Sequence, residues 1–102
     1  MANVYQDPIM RQVLARLVRS NMDLCGMTYK DLCHALAREF GIEHNPATLR
    51  NKVSSGSLGA QMLLFMLLVM DVDQLRVKDI QNMYEKIKEK QEVKGGDLEN
   101  AE

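Results

Sequence analysis

The segment from Thr28 to Gly56, TYKDLCHALAREFGIEHNPATLRNKVSSG, contains the clearest helix signals in the chain. Thr28 is the expected N-cap of a helix, and Asp31 follows at the spacing of an approximate capping box. Gly41 is the expected end of this helix. Between these limits the apolar residues recur at the spacing of one helix face: Tyr29, Leu32, Cys33, Leu36, Ala37 and Phe40.

A second, shorter helix is predicted directly after this one. Asn45 and Pro46 are a cap and a first helical residue, and Gly56 ends the helix after about two turns. Leu49 and Val53, spaced four apart, are the expected inward anchors. The other side of the helix carries a polar and partly basic set of side chains: Thr48, Arg50, Asn51, Lys52 and Ser54.

Two helices joined by a short turn that contains glycine form the framework of a helix-turn-helix. Arg and Lys bind phosphate, Asn pairs with adenine edges, and Thr and Ser contact the backbone. Residues 28–56 are therefore predicted to be a helix-turn-helix, with Thr48, Arg50, Asn51, Lys52 and Ser54 as DNA-binding residues. The alternative is a solvated helix face with no nucleic-acid partner.

Helices are also predicted on both sides of this segment. Asp7 and Pro8 begin the first, which Gly26 ends, and its arginines, Arg11, Arg16 and Arg19, are optional contacts to a DNA backbone. Ser57 is the predicted cap of a fourth helix, from about Leu58 to Met70, and a last helix lies within 73–92. The predicted organisation is an N-terminal arm at 1–6, one helical domain at 7–92, and a disordered acidic tail at 93–102.

The composition limits the classes of fold and function. A chain of 102 residues with 46% apolar residues has enough material for one core, and the scarcity of proline, β-branched and aromatic residues favours an all-α fold. The formal charge is −1, but residues 1–56 hold seven Lys/Arg against five Asp/Glu, while residues 57–102 hold six against nine. Any positively charged surface for contact with nucleic acid is thus expected in the amino-terminal half.

Several kinds of site find little support in the sequence. Cys25, Cys33, His34 and His44 lack the paired spacings of a zinc site, so we predict no metal and no cofactor. No nucleophile with a base, no paired carboxylates and no phosphate-binding glycine loop is present, which predicts a protein that is not an enzyme. The longest apolar run, Met62–Met70, is short of the roughly 20 residues of a membrane span, and the expected compartment is the cytoplasm.

The predicted fourth helix has no polar side, so it needs a cover on nearly every side. A second subunit is the expected source of part of that cover. The sequence predicts a homodimer whose interface includes Phe65, Met66, Tyr84 and Ile87.

From about Leu17 to Val72 the chain resembles the lambda-repressor-like (Cro/Xre-type) helix-turn-helix domains. Those domains typically open with T-x-x-x-L-A, which corresponds here to Thr28 and Leu32-Cys33, and end that helix with G-[VI], here Gly41-Ile42. The reader helix then corresponds to residues 48–53, and the E-x-G end to Ser55-Gly56. The resemblance implies an all-α, compact bundle of about five helices that binds double-stranded DNA, usually as a dimer.

A closer resemblance, carried by T-Y-x-x-L, G-I and T-L-R-N-K-V-S-x-G, is to a family of small bacterial proteins of unknown function. The closer resemblance names no activity, and the leading hypothesis, a small bacterial DNA-binding transcriptional regulator, follows from the helix-turn-helix resemblance. The turn from Gly41 to Asn45 is longer than is usual, and the charge is near neutral. These two departures favour an alternative: an interaction module, such as an adaptor or antitoxin-like protein, that keeps the fold without specific DNA binding.

Overall fold

The computed structural model describes the backbone of residues 7–100 and the side chains of residues 7–91. These residues form five helices: α1 (Pro8–Cys25), α2 (Tyr29–Phe40), α3 (Pro46–Ser55), α4 (Ala60–Val69) and α5 (Val77–Asn100). The predicted all-α bundle is confirmed. The N-terminal arm predicted at 1–6 and residues 101–102 lie outside the described part of the chain.

The first three helices begin and end where the local signals place them. Asp7 Oδ1 accepts hydrogen bonds from the N–H groups of Ile9 and Met10, at 2.8 and 3.2 Å. Both bonds of the capping box between Thr28 and Asp31 are present, at 2.9 and 3.1 Å. The N–H of Ala47 donates to the Asn45 side chain at 2.8 Å. These caps satisfy N–H groups that a helix leaves without partners, so they define where each helix starts.

The start of α4 differs from the prediction. Ser57 does not cap it: Gly59 is the N-cap residue, no side chain caps this end, and the helix runs Ala60–Val69. The Ser57 N–H instead donates to the Lys52 carbonyl at 3.0 Å, and its hydroxyl pairs with that of Ser55 at 2.7 Å. Ser57 therefore completes the end of α3, and the connection to α4 follows it.

The last helix is longer than predicted. It begins inside the expected range 73–92 but its backbone continues to Asn100, through most of the segment for which the sequence predicts disorder. The predicted boundary precedes Gly95 and Gly96, because glycine disfavours a helix interior, but the backbone stays helical through both.

The core lies where α2 and α3 meet their neighbours. α3 contacts both α1 and α2, α2 also contacts α4, and α5 contacts α1. Leu32, Leu36, Leu49, Val53 and Met66 are fully buried there. This arrangement holds α3 by one face between two longer helices.

The predicted inward face of α2 needs one correction. Leu32, Cys33 and Leu36 are buried as expected, but Ala37 and Phe40 are exposed and Ala35 is buried in their place. The cause is that α3 and α4 both contact α2. The buried side of α2 is therefore rotated about the helix axis relative to the side that the apolar spacing indicates.

Among the described residues, no single helix has the length and apolar character that crossing a membrane requires. One bent pair, α3 with α4 at 119°, meets that test by length and composition alone.

A long-range hydrogen bond joins the start of α1 to the middle of α5. The Tyr84 hydroxyl donates to Asp7 Oδ2 at 2.8 Å. This bond, followed by that from the Met10 N–H, holds the pKa of Asp7 below its ordinary value, and it raises the pKa of Tyr84. The carboxylate of Asp7 therefore favours folding above its unfolded pKa, and this contribution is lost as the pH falls through the folded pKa.

We expect Tyr84→Phe to raise the pKa of Asp7 toward its ordinary value, because the variant lacks the hydroxyl that stabilises the carboxylate. A higher folded pKa means that the contribution of Asp7 is lost at a higher pH during acidification. Titration of the Asp7 carboxyl carbon by NMR measures the pKa, and acid unfolding followed by circular dichroism measures the consequence.

Tyr29→Phe is the matched control, since it removes a hydroxyl that bonds to no described residue. It should leave the Asp7 titration unchanged. An Asp7 pKa that is the same in Tyr84→Phe and in the unchanged protein would contradict the assignment.

Candidate nucleic-acid interface

Helix α3 exposes its polar side chains because its large apolar side chains are buried in the core. Leu49 and Val53 are both 0% exposed and pack into the core. The five residues predicted to bind DNA are all exposed and lie on this one helix: Thr48, Arg50, Asn51, Lys52 and Ser54. The structure thus brings together on one surface the whole set that the sequence indicates.

Arg50 is oriented by an aromatic ring from the neighbouring helix. Its guanidinium carbon lies 5.8 Å from the ring centroid of Tyr29, at the start of α2, within the range of a cation–π contact. Such a contact restricts the side chain while leaving its donors available, because guanidinium binds the ring through its face.

A contact that the sequence did not indicate joins α1 to the end of α3. The Arg19 guanidinium donates to the Ser54 hydroxyl at 2.8 Å. Ser54, predicted to contact DNA itself, therefore also holds Arg19 beside α3. No local signal predicts this pair, since the two residues are 35 positions apart in the chain.

The other two arginines of α1 occupy different places. The backbone and Cβ of Arg11 lie directly against Gly56, at the end of α3. Arg16 instead lines a shallow groove shared with α5, together with Lys86 and Lys90. Only Arg19 is therefore shown beside the exposed residues of α3 by a direct bond.

The charge of this surface differs in sign from that of the whole chain. Helix α3 contains Arg50 and Lys52 and no acidic residue, and the bond to Ser54 adds Arg19. The formal charge of the chain is −1. Helix α3 and its edge therefore carry three cations, with no acidic residue on α3 itself, and such a surface attracts a phosphate backbone over about a Debye length.

The turn between α2 and α3 is held at both ends. The N–H groups of Gly41 and Ile42 donate to the carbonyls of Ala37 and Leu36, at 3.0 and 3.2 Å, and Ile42 packs against the core. At the other end Asn45 caps α3. Two residues, Glu43 and His44, connect these ends, so the turn orients α3 more firmly than its length in the sequence suggests.

The residues predicted to form a dimer interface are placed differently from one another. Met66 is 0% exposed and Ile87 is 3% exposed, so both are core residues of one chain and are not available to a second subunit. Phe65 is half-buried, with its ring centroid 4.9 Å from that of Phe40, and Tyr84 is bonded to Asp7. The predicted set is corrected accordingly: helical spacing marks these residues as apolar, but it does not say which neighbour covers them.

The candidate metal ligands lie in different surroundings. Cys33 is buried, and burial raises the pKa of its thiol, whereas Cys25 is exposed. His34 is exposed and His44 is half-buried. Within the described residues, no three His, Cys, Asp or Glu side chains form a group that could hold a metal ion.

These features define a class: a small all-α domain in which one short helix, held by two buried anchors, exposes a polar and basic surface. The chain belongs to the family described as Domain of unknown function (DUF6471), whose model matches residues 11–75. The match runs from the first turn of α1 past the end of α4, and so includes all of α2 and α3. No curated protein and no solved structure matches the chain. The resemblance to lambda-repressor-like domains stays a prediction.

Proposed function

We propose that this protein binds double-stranded DNA and acts as a bacterial transcriptional regulator, with α3 as its reader helix. The observation that carries the proposal is the surface of α3: its five exposed polar residues stand on two fully buried anchors, with no acidic residue on the helix. The roles below follow from the chemistry of these side chains.

Arg50, Lys52 and Arg19 bind phosphate, since they supply the positive charge of this surface. Asn51 and Thr48 contact base edges in the major groove, where the amide of Asn can pair with adenine through two hydrogen bonds. Ser54 positions Arg19 through the 2.8 Å bond between them. The free thiols of Cys25 and Cys33 suit the reducing cytoplasm in which such a regulator works.

The second candidate function is a protein-interaction module that keeps the same fold without specific DNA binding. The observation in its favour is the small amount of charge, two cations on α3 in a chain of net charge −1. A DNA-binding measurement separates the two candidates directly.

We expect the protein to bind a random-sequence DNA duplex, and the affinity to fall steeply as salt is raised from about 50 to 200 mM. Arg50→Ala combined with Lys52→Ala should weaken binding at every salt concentration. It should also reduce the slope of log K against log salt by about 2, because two phosphate contacts are lost. Fluorescence anisotropy of labelled duplex measures both quantities.

The matched control is Lys78→Ala combined with Lys90→Ala, which removes the same charge from exposed positions of α5. It should leave the slope nearly unchanged. If both double variants reduce the slope equally, the binding is not organised around α3. If the unchanged protein does not bind even at low salt, the interaction-module function is favoured instead.

A further inference from the structure

Helix α4 has an exposed apolar surface, here called the α4 outer face, formed by Ala60, Gln61, Leu64 and Leu68. Leu64 is 60% exposed and Leu68 is 62% exposed, and they lie one turn apart. Met66, on the opposite side of α4, is buried in the core, where α4 packs against α2. Two large exposed leucines beside each other form a candidate surface for contact with another molecule.

The chemistry of the face suits a second copy of the same chain. No residue from Ser57 to Met70 is charged, although 26% of the chain is. Two identical faces related by a twofold axis therefore meet without placing like charges together.

The spacing along the face also suits packing of one α4 against another. Ala60, Leu64 and Leu68 follow one another at intervals of four residues, which forms a continuous ridge on a helix. Two such ridges interdigitate in the commonest class of helix packing. The small side chain of Ala60 allows the close approach at one end of the ridge.

The two ends of α4 complement each other in an antiparallel pair. With the twofold axis midway between Leu64 and Leu68, the start of one α4 lies near Asp71 of the partner subunit. No side chain of its own chain caps the start of α4, so its N–H groups are available. A carboxylate near a helix N-terminus is favourable.

We propose that the α4 outer face is a twofold contact between two copies of this chain, with the two α4 helices antiparallel. It replaces the predicted interface that used Met66 and Ile87, which the core of each chain already covers. The contact shares no residue with the exposed surface of α3. The proposal is therefore independent of whether the protein binds DNA.

Light scattering coupled to size-exclusion chromatography tests the proposal with the full chain, over about 1 to 200 µM. We expect a discrete dimer whose fraction rises with concentration. Leu64→Glu should raise the dissociation constant by about tenfold or more, since it places a charge in an apolar contact. Leu24→Glu is the matched control, because Leu24 is 86% exposed on α1, and it should leave the dimer intact.

A mixing experiment tests the antiparallel arrangement, in which residue 64 faces residue 68 of the partner subunit. Leu64→Lys and Leu68→Glu should each be monomeric alone and should form a heterodimer when mixed. Far-UV circular dichroism confirms that each variant is folded. An unchanged protein that stays monomeric, a dimer that survives Leu64→Glu, or a mixture that stays monomeric would overturn the proposal.

Discussion

Leu49→Ala is expected to lower the free energy of unfolding by about 2–5 kcal/mol, a large fraction of the stability of a domain of this size. Leu49 is 0% exposed and is one of two residues that anchor α3 in the core. Truncation removes apolar contacts and leaves a cavity that the helices around it close only partly. Urea unfolding followed by circular dichroism measures the change.

Leu24→Ala is the same chemical change at a residue that is 86% exposed, and it should alter stability by less than about 0.5 kcal/mol. The difference between the two variants isolates the effect of burial from that of helix propensity. Equal losses in the two would mean that Leu49 does not anchor α3. If DNA binding is confirmed, Leu49→Ala should also weaken it as the fraction of folded protein falls.

Gly56→Ala is expected to destabilise the protein by about 2–5 kcal/mol through two separate effects. Gly56 has φ +68°, a left-handed conformation that costs a residue with a Cβ about 1–2 kcal/mol. In addition, a Cβ at this position would lie 2.5 Å from the Cβ and 2.7 Å from the Cα of Arg11. Because part of this contact is backbone, α1 and the end of α3 must move apart to relieve it.

Gly26→Ala separates the two effects. Gly26 has nearly the same conformation, φ +71°, but a Cβ there would have no atom within 4 Å. This variant should therefore show the conformational cost alone, and Gly56→Ala should cost more by about 1–3 kcal/mol. Chemical denaturation of both variants measures the difference. Equal losses in the free energy of unfolding would show that the close approach of Arg11 to Gly56 does not add to the effect of Gly56→Ala.

A movement of α1 away from α3 would also change the position of Arg19 at the candidate interface. Arg19, which bonds to Ser54, lies on the same helix as Arg11. Gly56 therefore contributes to the position of a cation beside the exposed surface of α3, as well as ending α3. The close packing of α1 against α3 thus serves the stability of the fold, and the proposed function also depends on it.

The helices of the amino-terminal half could be predicted because their signals are local. Asp7, Thr28 and Asn45 each cap a helix through bonds to residues two or three positions ahead. The polar face of α3 was predictable for the same reason, because the helical repeat converts sequence spacing directly into a direction. Thr48, Arg50, Asn51, Lys52 and Ser54 are exposed as expected.

The errors arise where a residue has more than one possible partner. Ser57 has the chemistry of an N-cap, but its N–H closes α3, so Gly59 begins α4. Met66 and Ile87 have the apolar character of an interface, and they are buried within one chain. In each case the residue type is compatible with two structures, and packing selects one.

The limits of α1, α2 and α3, the capping box and the outward face of α3 follow from the order of residues along the chain, since each depends on bonds within about one turn. The Arg19–Ser54 bond, the approach of Arg11 to Gly56 and the Tyr84–Asp7 bond depend on how whole helices are placed. Their partners are far apart in the sequence, and no spacing rule connects them. The hydrophobic effect that packs these helices is non-directional, so it does not specify which side chains meet. These contacts are therefore defined only by the packed structure.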